Sequence, residues 1–188
     1  MGSNLETQSL FLADHKGLEL VDKGYCWGPG SLYSEVTSQI LRFQGKNGVD
    51  LAGKTMGLAP YGRNIPGEIL NINSSYDGMK CDYSNFISRY PKPIIKQDDL
   101  IPCSNPKDVT NDYYSKIAFD VQKETEKAIL HLANYAYEKT GCKNLCLSGG
   151  VALNSVANGK ILENTLFENL FVTPACSDTG IPLHLAIS

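Results

Sequence analysis

No apolar run in this 188-residue sequence approaches the ~18 residues that would cross a bilayer as a helix. Long clusters of Lys and Arg are also missing. With a net charge of −3 and a pI near 5.6, the chain offers no electrostatic footprint for nucleic acid or an anionic membrane surface. Six cysteines are present but no CxxC pair, so they form no metal framework. Cys142 and Cys146 are four apart, yet Gly141 to Asn144 read as a turn. Cys146 and Cys176 lie among apolar or small residues and read as buried thiols, which points to a reduced, cytoplasmic protein. Met1-Gly2-Ser3 does not begin a signal peptide. Repeats and low-complexity tracts are absent as well. What is there is ordinary globular composition: 42% hydrophobic and 20% charged residues, enough for one well-packed domain.

Along the chain, residues 8–12 and 18–22 are β-prone runs, with Asp14-His15-Lys16-Gly17 as the hairpin turn between them. Gly28-Pro29-Gly30-Ser31 then breaks the chain ahead of a helix over about Leu32 to Phe43, since Leu32, Val36, Ile40 and Phe43 follow helical spacing. Residues 45–64 are rich in glycine and read as loop with short helix. Residues 64–110, rich in proline and polar residues, read as an irregular insertion with short strands at Ile69–Asn73 and Lys80–Tyr83. The longest helix runs from Asp112 to Thr140. Its stripe is Ile117, Val121, Ala128, Leu132 and Ala136, widened by Ala118, Ile129 and Ala133, and Gly141 suits the position just past its end.

The densest information lies in residues 145–180. The short strand Leu145–Ser148 turns at Gly149-Gly150. A small-residue helix follows from about Ala152, and a second strand, Leu170–Val172, leads to Cys176-Ser177-Asp178-Thr179-Gly180. Strand, diglycine, helix is how an α/β fold brings bare backbone and a helix N-terminus to a phosphate. A tight strand-to-helix turn with no ligand is the plain alternative. Asp178 follows a strand, at the end where α/β folds place ligands, and its carboxylate suits a hard or borderline cation. An Asp there can equally cap the next helix or shape the turn.

Three blocks then carry a resemblance. Residues 145–159, with the Pro174 to Gly180 stretch, look like the LCLAGGVALNxVANG…PAxSDxG pattern of the O-carbamoyltransferases of the nodulation-protein and cephalosporin- or aminoglycoside-tailoring type. Residues 53–62, GKTMGLAPYG, resemble that family's GKxMGLAPYG. Residues 31–37 are a weaker match to its SLGxxYxxxT. The blocks occur in the family's order and span most of residues 5–183.

The resemblance implies an α/β fold of the ASKHA type, shared by actin and sugar kinases: ribonuclease-H-like lobes, each a mixed sheet with flanking helices. It implies that residues 1–188 are one partial lobe, mainly the second, with 64–110 as an insertion in it. It also implies a two-step chemistry. Carbamoyl phosphate and ATP give carbamoyl-adenylate on a YrdC-like domain, and the carbamoyl group then passes to a small-molecule hydroxyl at a metal ion, usually iron. Carried over residue by residue, Gly149, Gly150, Val151 and Asn154 would lie against the nucleotide, and Asp178 would ligate the metal. Lys54, in a glycine-flanked loop, would be the catalytic candidate as a point charge on a phosphate or carbamoyl oxygen. The bland alternatives are that Asn154 tethers neighbouring turns, that Asn158-Gly159 is packing, and that Lys54 is solvated. Tyr61 and Met56 read as packing.

The chain departs from the family in places. His184 and Pro182 stand where small residues are usual. The family's other metal ligands, two histidines spaced HxxxH, are missing, as are the first phosphate loop and the YrdC-like domain. A lone aspartate does not hold a catalytic metal, so this chain alone is expected to be inactive. Other readings are a non-catalytic nucleotide-binding lobe, or another ASKHA member such as a sugar kinase or a tRNA threonylcarbamoyl-transferring enzyme.

Overall fold

The computed structural model describes residues 6–25, 27–40, 48–83, 86 and 112–177. It is a mixed α/β structure whose residues fall into two compact units. One holds residues 1–28, 76–81 and 126–188; the other holds 29–75 and 82–125.

In the first unit, strands β1 (Glu6–Asp14) and β2 (Gly17–Tyr25) pair antiparallel, with Asp14 opposite Gly17, so the loop is His15-Lys16 as the turn signal predicted. Asp14 Oδ1 accepts the Lys16 amide at 2.7 Å and fixes the turn. The short strands β3 (Ser75–Asp77) and β4 (Lys80–Asp82) pair around Gly78, whose φ of +56° favours glycine. Helix α3 (Asp112–Thr140) has the predicted bounds. Its residues from Glu126 onward belong to this unit, and Gly141, with φ +63°, ends it by donating its amide to the Tyr137 carbonyl at 2.8 Å. Strand β5 (Asn144–Leu147) and strand β6 (Asn169–Val172) pair in parallel, with Leu145 opposite Leu170 and Leu147 opposite Val172. Helix α4 (Ser155–Asn164) connects them, because parallel strands need a crossover. The unit's core is Leu10, Met79, Ile129, Ala133, Ala136, Ala157, Ile161 and Phe167. Leu145, Leu147 and Leu170 pack against it, while Cys146 and Phe171 face outward on the alternate side. The strand period therefore exposes Cys146, contrary to its expected burial; Cys176 is buried as expected.

In the second unit, helix α1 (Pro29–Glu35) passes into a π-helical turn over Val36–Ile40, in place of a regular helix. Thr37 and Ser38 return their hydroxyls to the carbonyls of Tyr33 (2.7 Å) and Ser34 (2.6 Å), a side-chain competition that loosens regular winding. The rest of the expected helix, to Phe43, lies outside the described residues. Helix α2 (Gly48–Leu58) runs into a 3-10 turn, Ala59–Gly62.

The segment Ile69–Asn73 is not a strand. Asp120 Oδ2 accepts the amides of Ile69 (2.9 Å) and Leu70 (3.2 Å), and Ile72 turns back to the Leu70 carbonyl at 2.9 Å. A ladder partner would need those same amides. Asp120 is itself buried and paired with the buried ammonium of Lys116. Of the long-helix stripe, Ile117, Ala118 and Val121 are buried here and Ala128, Ile129, Ala133 and Ala136 in the first unit, with Leu132 half-buried; buried Ser115, Lys116, Gln122, Glu124 and Thr125 make the covered face of the helix's first half wider than the stripe. Among the described residues the sheets are three two-stranded pairs rather than one mixed sheet, and no helix is long and apolar enough to cross a membrane.

Candidate functional site

The diglycine turn stands at the C-terminal ends of two parallel strands. After Leu147 the chain leaves β5 through Ser148, Gly149 and Gly150, all exposed. Gly149 adopts φ +98°, ψ 164°, a conformation essentially restricted to glycine. Its amide donates to the Cys176 carbonyl, just beyond β6, at 2.6 Å, and Ser148 Oγ reaches the same carbonyl at 3.4 Å. These contacts tie the turn to the neighbouring strand's exit, which is where open α/β sheets present ligands.

Gly150 to Leu153 form a 3-10 turn, so the helix starts at Ser155 instead of Ala152. Asn154 explains the later start. Its Oδ1 accepts the Ala157 amide at 3.1 Å and caps α4, with non-helical backbone at ψ 86°. The 3-10 turn is closed by the Ala152 amide on Gly149 O and the Asn154 amide on Val151 O, each at 3.0 Å. One helical turn on, Asn158 Nδ2 donates to the Ala152 carbonyl at 2.7 Å. Among the described residues, nothing lies within 4 Å of a Cβ placed on Gly149 or Gly150. The side of the turn away from the core is therefore open, and the backbone there is bare.

Of the expected site residues, Gly149, Gly150, Val151 and Asn154 come together on this one turn, with Val151 and Asn154 half-buried. Lys54 belongs to the other unit. It is exposed within helix α2, which corrects the glycine-flanked loop expected for it. The helical spacing of the buried residues Leu51, Thr55 and Leu58 outweighs the propensity cost of Gly53 and Gly57. The buried Thr55 hydroxyl adds a hydrogen bond to Thr37 at 2.8 Å. Gly62, at the end of the same block, has a packing reason to be glycine: a Cβ there would sit 2.1 Å from the Ser115 carbonyl oxygen on α3. Tyr61 is 61% exposed, so it is not the packing residue its place in the block suggested. Asp178, Pro182 and His184 lie outside the described residues.

Sequence reasoning missed a second polar cluster in the first unit. An open depression of about 440 Å³ is lined by Asp22, Lys23, Tyr25, Asp77, Lys80 and Tyr135, among others. The Tyr135 hydroxyl donates to Asp22 Oδ2 at 2.6 Å, and the Lys23 amide donates to Oδ1 at 2.7 Å. The Tyr135 hydrogen bond is the main reason the Asp22 carboxyl titrates below its ordinary range; the same bond holds the Tyr135 phenol above its own. The pairing spans residues 113 apart, and no local signal announces it.

Residues 4–187 match the family described as "Carbamoyltransferase N-terminus". An uncharacterized protein of Synechocystis, sll1178, is 37% identical over 145 residues, covering 72% of this chain and 23% of that protein. Nodulation protein NolNO of Sinorhizobium fredii is 30% identical over 135 residues, 71% of this chain and 19% of its own length. The uncharacterized protein MJ1058 of Methanocaldococcus jannaschii is 30% identical over 163 residues, 84% of this chain and 25% of its own. The chain thus spans about a quarter or less of the curated relatives it matches. With a family match over nearly its whole length, the chain belongs to the carbamoyltransferase family, in that family's N-terminal region.

Proposed function

We propose that this chain is part of an ATP-dependent O-carbamoyltransferase, and contributes a portion of an ASKHA-type domain to it. The carbamoyl group would pass from carbamoyl-adenylate to the hydroxyl of a small molecule: the acceptor oxygen bonds to the carbamoyl carbon, the bond to the adenylate oxygen breaks, and the hydroxyl proton is lost. The observation that carries this reading is the exposed Gly149-Gly150 turn at the strand ends, in a chain of this family.

The turn suits an anionic ligand. It offers bare backbone with no neighbour in the way among the described residues, and it leads into α4, whose N-terminal end favours negative charge. Gly149, Gly150 and Val151 would face the nucleotide. Asn154 would act through its cap, since its Oδ1 is committed to Ala157. Lys54 would serve as a positive point charge on a phosphate or carbamoyl oxygen. The nucleotide supplies the activation of the carbamoyl group; these residues supply binding and orientation.

A metal, by the family resemblance iron, would take Asp178 as one ligand, and its other ligands would come from outside this chain. Among the described residues no three His, Cys, Asp or Glu side chains gather into a metal-binding group. The described residues therefore do not form a metal site, and no role assigned to them runs through one.

The test is an assay of the full-length polypeptide containing this chain, supplied with carbamoyl phosphate and ATP. ATP-dependent consumption of carbamoyl phosphate, with AMP released when a hydroxylated acceptor is added, is the expected result. This chain alone should give none. Turnover by the isolated chain, or a full-length protein that transfers carbamoyl without ATP, would overturn the reading.

A further inference from the structure

We propose that Asn158 is the positioning residue of the diglycine turn: its side-chain amide holds the 3-10 segment in the shape that presents Gly149 to Val151. The inference deepens the nucleotide reading above and rests on it. Asn158 sits four residues after the capping Asn154 on helix α4, and side chains of a helix lean toward its N-terminus. There Nδ2 donates to the Ala152 carbonyl at 2.7 Å. Ala152 is buried, and its amide closes the turn on Gly149 O. One side chain thus links the second turn of α4 to the middle of the 3-10 segment, while Gly149 is fixed from the other side by Cys176.

The other half of the amide shows what this geometry costs. Asn158 Oδ1 is buried and has no hydrogen-bond partner among the described residues. A residue serving α4 alone would gain more from an apolar side chain, since an unmet buried acceptor is unfavourable. Keeping an amide there makes sense if the Nδ2 bond to the turn is what the position is for. Asn154 and Asn158 then divide the work: the first sets where the helix begins, the second sets how the turn before it lies.

Three forms of the full-length protein, wild type, Asn158→Leu and Asn158→Asp, separate positioning from general stability. Leu removes the donor together with the unmet acceptor, so the fold is kept; Asp keeps the size and loses the donor. Amide hydrogen exchange is read at Ala152 and Asn154, which close the turn, and at Ile161 and Leu162 in the middle of α4. Exchange at the turn should quicken about fivefold or more in both variants, the size of one net hydrogen bond, with Ile161 and Leu162 unchanged. Equal rates at the turn in all three forms, or a uniform quickening through α4, would overturn the inference. ATP affinity is read separately in the full-length protein. A wild type that binds no ATP defeats the nucleotide reading, whereas the exchange data decide on Asn158 regardless. If wild type binds, both variants should bind several-fold more weakly; unchanged affinity alongside quickened exchange would also overturn the positioning role.

Discussion

Gly149 and Gly150 look equivalent in the sequence and are not equivalent in the structure. Gly149 holds φ +98°, so Gly149→Ala should cost about 1–3 kcal/mol in urea unfolding. Gly150 has neither a positive φ nor, among the described residues, a neighbour within 4 Å of an added methyl, so Gly150→Ala should stay within about 0.5 kcal/mol. If Gly150 matters, it is for a ligand and not for the fold. A larger consequence attaches to Asp120. It pairs with the buried Lys116 and also takes two backbone amides, so Asp120→Ala strands a buried ammonium and should cost about 3–5 kcal/mol by chemical denaturation.

Asp22 gives a pH dependence at the same scale. Its folded pKa is lowered, first by the Tyr135 hydroxyl, so this contact's contribution is fully present above the ordinary carboxylate value of 3.8 and is lost as pH falls through the lower folded value. The Tyr135 pKa is raised, first by Asp22, so its contribution is full below 10.0 and lost as pH rises through the raised value. Thermal melts of Tyr135→Phe across pH should therefore lie closest to wild type at both extremes and furthest from it at neutral pH. A constant difference across the range would contradict this.

At the scale of elements, much was legible. The long helix was readable because its apolar stripe and its terminal glycine agree, and the hairpin because Asp14 and Gly17 bracket a two-residue loop. The strand–diglycine–helix unit was readable in outline, and its glycines and asparagine do meet on one turn. What escaped were features set by side chains distant in sequence or competing locally. Asp120 captures Ile69 and Leu70 from 50 residues or so away and prevents a strand. Thr37 and Ser38 shift a helix to π winding. Asn154, by capping, moves the helix start three residues on. Gly53 and Gly57 point to a loop around Lys54, but the burial of Leu51, Thr55 and Leu58 at helical spacing holds it in α2. The cap itself is testable: Asn154→Ala should lower stability by about 1 kcal/mol in thermal melts, while Asn154→Ser or Asn154→Asp, which keep a capping oxygen, should recover most of it.

For the whole molecule, the chain belongs to the carbamoyltransferase family, matching its N-terminus model, and spans about a quarter or less of its curated relatives. The proposed reaction accordingly belongs to the complete polypeptide. What this chain would bring is a shaped, exposed backbone turn for the nucleotide, with the rest of the chemistry supplied around it. That claim is most directly tested by hydrogen exchange on the full-length protein with and without saturating ATP. The account predicts protection concentrated on the amides of Gly149 to Leu153, with little change at Lys23 to Tyr25 or Asp77 to Lys80 beside the other depression. ATP that binds and leaves Gly149 to Leu153 unprotected, whatever else it protects, would contradict it.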